Sequence, residues 1–304
     1  MGNGGSHERG AGRTSKALVI RMTGWTETYR GTVAPWECDV TEHFTIACYL
    51  GRVDQAAASI AEVLGLADLL RDGAFTRRFN LRFVRELRAG DSFHVDSAAV
   101  GVDPQLRLGH RVVDSASGER VTWIEETWEL PPLRFPAGRR EAIGRGLAVW
   151  EGPAAEERPE PRSMAGAIAS ARGRVEPTDL DQYGRFSLAA FVHRFTDALL
   201  QAAAAIGMGR DYMETHRRGF STFELALRLV EAPRLGQPYL VETGIAHLGG
   251  SSARLVHRMA DPRTGKELAR LGQFGVQLDL DARRPAPLPD EIRARAAALM
   301  LAFD

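Results

Sequence analysis

Two acidic residues, a histidine and a tyrosine stand at short spacings in the N-terminal part of the chain. Glu37 and Asp39 are two residues apart, His43 follows four residues after Asp39, and Tyr49 follows six residues after His43. A carboxylate in such a group can act as a general base or as a nucleophile towards a carbonyl carbon. A helical pattern begins directly after these residues, and the N–H groups at a helix N-terminus can stabilise an oxyanion. The group therefore has the residue types needed to attack a carbonyl group.

Each of these residues also has a plainer interpretation. Asp39 could be only the N-cap of the helix, and a lone histidine such as His43 is more often a structural hydrogen-bonding group than a catalyst. Tyr49 lies on the apolar stripe of the helix and could belong to the core or to a pocket wall. Asp54, further along the same helix, is expected to be solvated or to face a linker, although an acid there could also enter a site.

A near copy of the group recurs in the second half of the chain. Four of its members lie 142 positions after their counterparts in the first group, and four matches at one offset indicate an internal duplication. An arginine takes the place of the histidine, and it cannot act as a general acid or base because it stays protonated at any working pH. The four residues are Asp179, Asp181, Arg185 and Phe191.

The pattern around the two groups predicts the same order of elements in both halves. Each half has a strand, a long helix with one apolar stripe, and four antiparallel strands, so the expected class is α+β with a helix against each antiparallel sheet. Gly65 and Gly207 follow the two helices in register as C-caps. The predicted strands are 28–33, 79–84, 92–100, 106–114 and 120–130 in the first half, and 171–176, 220–230, 239–246, 253–260 and 268–280 in the second.

Composition shifts divide the chain into five segments. The tail is rich in Gly, Ser, Arg and His, and its Met1–Ser6 stretch fits the loose N-myristoylation pattern, although a flexible tail that begins Met-Gly is the simpler interpretation. The linker is rich in proline and charge, with a short helical piece near 140–150, and an amphipathic helix near 289–302 ends the sequence. The segments are a flexible tail (1–20), a first domain (21–131), a linker (132–165), a second domain (166–284) and a C-terminal helix (285–304).

The overall composition is that of a soluble globular protein and excludes several functional classes. The 304 residues carry 39 basic and 39 acidic side chains, and no long basic run suggests a nucleic-acid partner. No apolar stretch has the length of a membrane span or the form of a signal peptide. There is no Gly-x-Ser-x-Gly elbow, no phosphate-binding loop and no metal-ligand spacing. We therefore expect a cytoplasmic protein without a metal.

The two cysteines do not suggest a disulfide framework or a nucleophile. Cys38 and Cys48 are too few to staple a domain of this size, which favours a reducing compartment. If residues 37–39 are extended, Glu37 and Asp39 share one face and Cys38 points away from them. Cys38 is then a poor candidate for the attacking group.

Both groups resemble the motif of the hotdog-fold acyl-CoA thioesterases of the 4-hydroxybenzoyl-CoA thioesterase type. That motif runs Asp-x-Asp-x-x-Gly-His-x-Asn-Asn-x-x-Tyr between the first strand and the central helix. The turn 85–91, Arg-Glu-Leu-Arg-Ala-Gly-Asp, also resembles the second-strand turn of the family. The first half matches at Glu37, Asp39, His43 and Tyr49 and departs at Glu42, Thr45 and Ile46. The second half matches at Asp179, Asp181 and Gly184 and departs at Arg185, Ser187, Leu188 and Phe191.

The resemblance implies a double hotdog fold and a site built on the first group. In the family the second acid is the catalytic carboxylate, which corresponds to Asp39, or to Asp181 in a possible second site with Asp179. His43 and Glu37 complete the expected catalytic group, and Thr45, Tyr49 and Arg185 are expected to bind substrate, with Arg185 either on a CoA phosphate or in a surface salt bridge. Family members act as dimers, so a tandem chain resembles a fused dimer and leaves further homo-oligomerisation open. Plant acyl-carrier-protein thioesterases resemble it too, but Thr41 stands where they have an asparagine.

The expected function is hydrolysis of an acyl-CoA or acyl-carrier-protein thioester to free acid and thiol. It needs no cofactor, because CoA is part of the substrate. The departures from the motif leave a non-catalytic acyl-CoA-binding protein as the alternative, followed by a hydratase or dehydratase on the same fold.

Overall fold

The computed structural model of the protein describes residues 24–71, 75–130, 135–156 and 158–303. The predicted flexible tail, 1–20, and its lipidation pattern therefore lie outside the described residues.

One antiparallel sheet joins the two halves of the molecule. Its strand order is β1-β3-β4-β5-β2-β7-β10-β9-β8-β6, so each half contributes five consecutive strands, and the short β11 pairs with β10. The halves meet where β2 lies beside β7, with Asn80 opposite Ala226. The strands are β1 Thr26–Thr32, β2 Phe75–Phe83, β3 Ser92–Gly101, β4 Leu106–Asp114, β5 Arg120–Glu129, β6 Ile168–Arg174, β7 Arg218–Leu229, β8 Pro238–Leu248, β9 Ser252–Ala260, β10 Glu267–Asp279 and β11 Arg284–Pro285.

Two long helices lie side by side on the inner face of this sheet. They are α1, Ile46–Val63, and α4, Leu188–Ala205, and their apolar stripes are buried as the periodicity predicts. Phe191 and Phe195 of α4 are each 1% exposed, and burial of side chains of this size stabilises the fold by about 1.5–3 kcal/mol each. The other helices are α2 Ala67–Arg71, α3 Ala137–Gly144, α5 Arg210–His216 and α6 Asp290–Ala296.

The offset of the duplication is 142 up to the central helices and larger after them. Gly90 and Gly236, which occupy the same turn with φ of 95° and 75°, are 146 positions apart rather than 142. Both donate their N–H to the residue after the first strand of their half, Val33 or Val175. The four additional residues of the second half therefore lie between the end of α4 and β7.

A row of buried polar side chains crosses the core of each half. Hydrogen bonds link the neighbours in both rows except His110 and Glu126, whose Nε2 and Oε1 lie 3.3 Å apart. The distances are 2.7 Å between Ser97 Oγ and His110 Nδ1 and 2.8 Å between Thr243 Oγ1 and His257 Nδ1. The rows differ at their last member, which is an acid in the first half and an amide in the second. The first polar row is Thr28, Ser97, His110 and Glu126, and the second polar row is Ser170, Thr243, His257 and Gln273.

The linker and the C-terminus differ from the sequence prediction in their helices. The linker helix α3 ends at Gly144, and residues 153–160 of the linker, as far as they are described, lie against the outer face of the sheet. The C-terminal helix ends at Ala296 and a short 3₁₀ turn, Ala297–Leu299, follows. It stops there because Leu301 donates its N–H to Ile245 of β8, which draws the chain out of the helix.

Candidate active site

Both motifs fold into the same tight loop in front of a central helix. In the first loop the N–H of Asp39 donates to the carbonyl of His43 at 2.9 Å. The turn needs one residue with positive φ, which is Glu42 at 64° and, in the second loop, Gly184 at 74°. A glycine adopts this conformation without steric cost, whereas Glu42 is strained. This explains why the motif that the chain resembles has glycine at this position.

The second acid of each motif holds its loop together. Asp39 Oδ1 accepts hydrogen bonds from the N–H of Thr41 at 2.8 Å, the hydroxyl of Thr41 at 2.6 Å and the N–H of His43 at 3.3 Å. Asp181 Oδ1 accepts the two equivalent N–H bonds, at 2.8 and 2.9 Å. Asp39 is exposed, and its Oδ2 accepts no hydrogen bond from the part of the chain that the structure describes.

The first acid of each motif ties the loop to its helix. Glu37 accepts a hydrogen bond from the N–H of Ala34 at 3.0 Å and forms an ion pair with Arg52 of α1. Asp179 forms the corresponding ion pair with Arg194 of α4 at 2.6 Å. Both oxygens of Glu37 are thus used in holding the loop, so its contacts are structural.

His43 is buried and contacts three polar groups. Its Nδ1 lies 3.0 Å from Thr41 Oγ1, and its Nε2 lies 2.6 Å from Glu86 Oε2 and 3.0 Å from Arg283 Nη1. Because the Thr41 hydroxyl donates to Asp39, it must accept from His43, which assigns a proton to Nδ1. A continuous chain of contacts therefore joins Asp39, Thr41, His43 and Glu86.

Residues of the second half complete this arrangement. Ser221 of β7 donates its hydroxyl to Glu86 at 2.9 Å, and Arg283 donates to the carbonyl of Thr41 at 3.0 Å. Burial alone would raise the pKa of Glu86, but the hydrogen bonds with His43 and Ser221 and the charge of Arg283 hold it below its usual value. Glu86 is thus an anion in contact with His43.

The second motif has no comparable chain. Arg185 donates to Asp181 Oδ2 at 2.8 Å from Nε and 2.6 Å from Nη2, and its guanidinium lies over the ring of Tyr183. The position that corresponds to Glu86 is Ala232. Of the two expectations for Arg185, a phosphate contact or a salt bridge, the structure shows the salt bridge.

The two central helices begin differently. Ser187 Oγ, at the start of α4, accepts a hydrogen bond from the N–H of Ala190 at 3.0 Å, whereas the side chain of Thr45, at the start of α1, makes no such bond. The N–H groups of Ile46 and Ala47 donate no hydrogen bond to the described residues. The start of α1 therefore has backbone donors that are open to a ligand.

Asp54 does not lie where the sequence suggested. We expected it to be solvated or to face the linker, but it is half-buried beside α4, with its carboxyl facing the N–H of Ala189. Burial, and after it the charges of Glu126 and Asp181, raise its pKa to about 8, against the opposing effect of Arg185. The prediction was wrong because the packing of α1 on α4 turns this position towards the second motif.

The remaining predicted residues are only partly at the site. Tyr49 is 2% exposed and packs between Phe44 and Phe83, so it belongs to the core. Burial raises the pKa of both Cys38 and Cys48, which keeps these thiols protonated. The described residues contain no group of three metal-ligating side chains and no helix long and apolar enough to cross a membrane.

Comparisons with known proteins agree with this architecture. A family model described as the thioesterase-like superfamily matches residues 175–296, which is the second half. A search of curated proteins finds no match.

Three solved structures resemble most of the chain. A Lactobacillus plantarum protein described as an oleoyl thioesterase has 13% identity and a TM-score of 0.65, with 86% of this chain and 99% of that one covered. An acyl-ACP thioesterase from Bacteroides thetaiotaomicron has 12% identity and a TM-score of 0.63, covering 83% and 97%. The 12:0-ACP thioesterase from Umbellularia californica has 14% identity and a TM-score of 0.62, covering 83% and 94%. The expected α+β double hotdog fold is confirmed.

Proposed function

We propose that the protein hydrolyses an acyl thioester, carried by CoA or by an acyl carrier protein, at the first loop. The observation that carries this proposal is the chain from Asp39 through Thr41 and His43 to Glu86, directly before the uncapped start of α1. The family model and the three solved thioesterases support the same reaction class. The resemblance of the motif residues supports the finer proposal of a 4-hydroxybenzoyl-CoA thioesterase-like enzyme, and the two free thiols support the proposal of a reducing cytoplasm.

Asp39 supplies the base. Three donors hold its Oδ1, so Oδ2 is the oxygen that faces solvent and can take a proton from water. The water oxygen bonds to the thioester carbon and its proton passes to Asp39. The C–S bond then breaks, and the proton returns from Asp39 to the departing sulfur. Direct attack by Oδ2 on the carbonyl carbon would use the same geometry.

The start of α1 supplies the oxyanion donors. The N–H groups of Ile46 and Ala47 are open, and the positive end of the helix dipole favours negative charge at this point. Thr45, whose hydroxyl makes no capping bond, lies next to them and is the side chain placed to contact the acyl group.

His43 positions the base. Its Nε2 lies next to Glu86 and Arg283, and its Nδ1 lies next to Thr41. Its backbone N–H also donates to Asp39. The carboxylate of Glu86 lies 2.6 Å from the imidazole on the side away from Thr41. His43 therefore fixes the loop that holds the reacting group.

One observation favours the alternative of a non-catalytic acyl-binding protein. Asp39 and Asp181 make the same loop-closing contacts through Oδ1, and a residue that only stabilises a loop would make them too. The two functions predict different rates of thiol release for a variant in which the side chain at position 39 keeps its shape but loses its charge.

The deciding experiment compares Asp39→Asn with Asp181→Asn. Thiol release from a panel of acyl-CoA and acyl-carrier-protein thioesters is measured, with thermal unfolding as the check on folding. We expect Asp39→Asn to lower kcat/KM by about 10²–10⁴-fold and Asp181→Asn to have a much smaller effect. Wild-type protein that releases no thiol would favour the binding function. Full turnover in a folded Asp39→Asn variant would rule Asp39 out, and a larger loss at Asp181 would place the site in the second half.

A further inference from the structure

A groove of about 600 Å³ lies on the outer face of the sheet, opposite α1 and α4. Side chains alternate along a strand, so Asn80 points outward because Phe79 and Leu81 belong to the core. The described residues of linker segment 153–160 form one wall of the groove. The groove crosses the junction of the two halves and has no part in the site described above.

The strand register places arginines along one side of the groove. Arg78 of β2 lies opposite Arg228 of β7, and Arg228 lies opposite Arg270 of β10. Adjacent strands are about 4.8 Å apart, so the three side chains form a continuous cationic row across the junction. Arg254 of β9 approaches from the other side.

The positive charge is only partly balanced. Arg228 and Arg270 meet Glu160 of the linker at 3.3 Å and also contact Glu267 of β10. Arg78 and Arg254 form no ion pair with any carboxylate in the described parts of the chain. Guanidinium groups in this arrangement suit a bidentate anion such as a phosphate.

Arg254 is a partly buried cation of the groove. It donates to the carbonyl of Pro159 at 2.8 Å. Burial lowers its pKa, and repulsion from Arg158 acts in the same direction, while Glu160 opposes them. The negative charge of an anion placed against Arg254 would therefore offset both the desolvation of the guanidinium and its repulsion from Arg158.

The floor of the groove is open. It consists of Ala226 and Gly272, which lie opposite each other on β7 and β10. A Cβ added at Gly272 would meet nothing closer than 3.9 Å, and Arg254 Nη2 would be 4.0 Å away. There is thus space for a ligand group directly beside the Arg254 guanidinium.

Aromatic side chains stand at the first-half end of the groove. Trp123 and Trp150 both line it, and their ring centroids are 5.2 Å apart at an interplanar angle of 75°. Trp123 is buried, at 7% exposed, so the half-buried Trp150 is the ring that a ligand can reach. Indole faces stack on planar heterocycles. The groove therefore combines a cationic end with an aromatic end.

We propose that this groove binds a nucleotide diphosphate, with the phosphates over Gly272 against Arg254 and the arginine row, and the base against Trp150. The same chemistry is present in a free nucleotide and in the nucleotide end of CoA. The second source rests on the proposed thioesterase function, whereas binding of the free nucleotide does not.

Calorimetric titration of the full chain with ADP, adenosine and inorganic pyrophosphate tests the binding. We expect ADP to bind with a stoichiometry of one and more tightly than either fragment. Arg254→Ala should weaken ADP at least about tenfold, because it removes a charged hydrogen-bond donor. Gly272→Leu should abolish binding by filling the floor without any change of charge, and Trp150→Ala should weaken ADP but not pyrophosphate. Arg30→Ala, an exposed arginine on the distant β1, is the matched control and should bind ADP as the wild type does.

Two results would overturn the proposal. The first is wild-type protein that does not bind millimolar ADP, which would mean that the charges only fasten the linker to the sheet. The second is ADP binding that survives both Arg254→Ala and Gly272→Leu in folded protein. If ADP binds, the KM values of Gly272→Leu identify the natural ligand. A higher KM for acyl-CoA with an unchanged KM for the acyl-carrier-protein substrate identifies it as the CoA nucleotide. Unchanged KM values identify it as a free nucleotide.

Discussion

The imidazole of His43 and the carboxylate of Glu86 meet at 2.6 Å, although the two residues come from different loops of the first half. Ser221 of the second half donates to the other oxygen of Glu86, and Nη1 of Arg283, also from the second half, lies 3.0 Å from His43 Nε2. Residues of both halves therefore surround the contact. The second half has Arg185 and Ala232 at the corresponding positions and lacks it.

Replacing Glu86 tests this contact. Glu86→Gln keeps the shape but removes the negative charge beside the imidazole, and a hydrogen bond to a charged group contributes about 1.5–3 kcal/mol. We expect kcat to fall by about 10–100-fold with little change in KM, and the pH dependence of kcat to shift. Glu119→Gln, which loses only an exposed ion pair with Arg85, is the control. Identical pH profiles for Glu86→Gln and wild type would show that the contact has no part in the reaction.

The local part of the fold could be predicted from the sequence. Helical spacing from Tyr49 onwards and the alternation in β10 depend on neighbouring residues, and the 142-residue offset showed that the pattern occurs twice. The glycine turns could be predicted for the same reason, because the positive φ that they need depends only on the local chain.

Only the part of the candidate site that lies in the first loop could be predicted from the sequence. Asp39 and His43 belong to one short motif, but Glu86, Ser221 and Arg283 reach it from distant segments, and no spacing in the sequence brings them together. The sequence of segment 85–91 predicts a turn but assigns no role to Glu86.

The starts of the two central helices should respond differently to alanine. Ser187→Ala removes a capping hydrogen bond and should cost about 1 kcal/mol, or about 2–4 °C in Tm. Thr45→Ala removes no such bond and should leave Tm within about 1 °C. Thermal unfolding of both variants measures this, with kcat/KM for Ser187→Ala expected to match the wild type. Equal losses of Tm would mean that Thr45 caps α1 in solution.

Asp54 should make the protein less stable as the pH rises. Its pKa in the folded state is raised to about 8, so between pH 4 and 8 the folded protein binds more protons at this site than the unfolded chain. Asp54→Asn removes this dependence. Because the group is half-buried, we expect only about 2–4 °C gain in Tm at pH 9 relative to pH 6. Asp211→Asn on exposed α5 is the control, and a gain that does not grow with pH would contradict the prediction.

The two polar rows end in groups of different charge. Glu126 in the first row is an anion: burial would raise its pKa, but the adjacent His110 and the hydrogen bonds with Trp128 and Thr76 hold it below its usual value. Gln273 is neutral, and burial lowers the pKa of His257 beside it to about 4, although the Gln273 hydrogen bond opposes this. His257 is therefore neutral in the folded protein near pH 7.

Gln273→Glu introduces into the second polar row a carboxylate like that of the first row. It should change how the stability of the protein depends on low pH. In the wild type His257 binds fewer protons than in the unfolded chain from pH 6.5 down to about 4, so stability is lost on acidification, by up to about 3 kcal/mol. A carboxylate at 273 favours the imidazolium and raises the pKa of His257. The variant should be less stable at pH 7, because it buries a charge, but should lose less stability between pH 7 and 4.5. Urea unfolding at both pH values measures the difference, with exposed Gln55→Glu as the control. An acid-induced loss as large as in the wild type would show that His257 does not govern it.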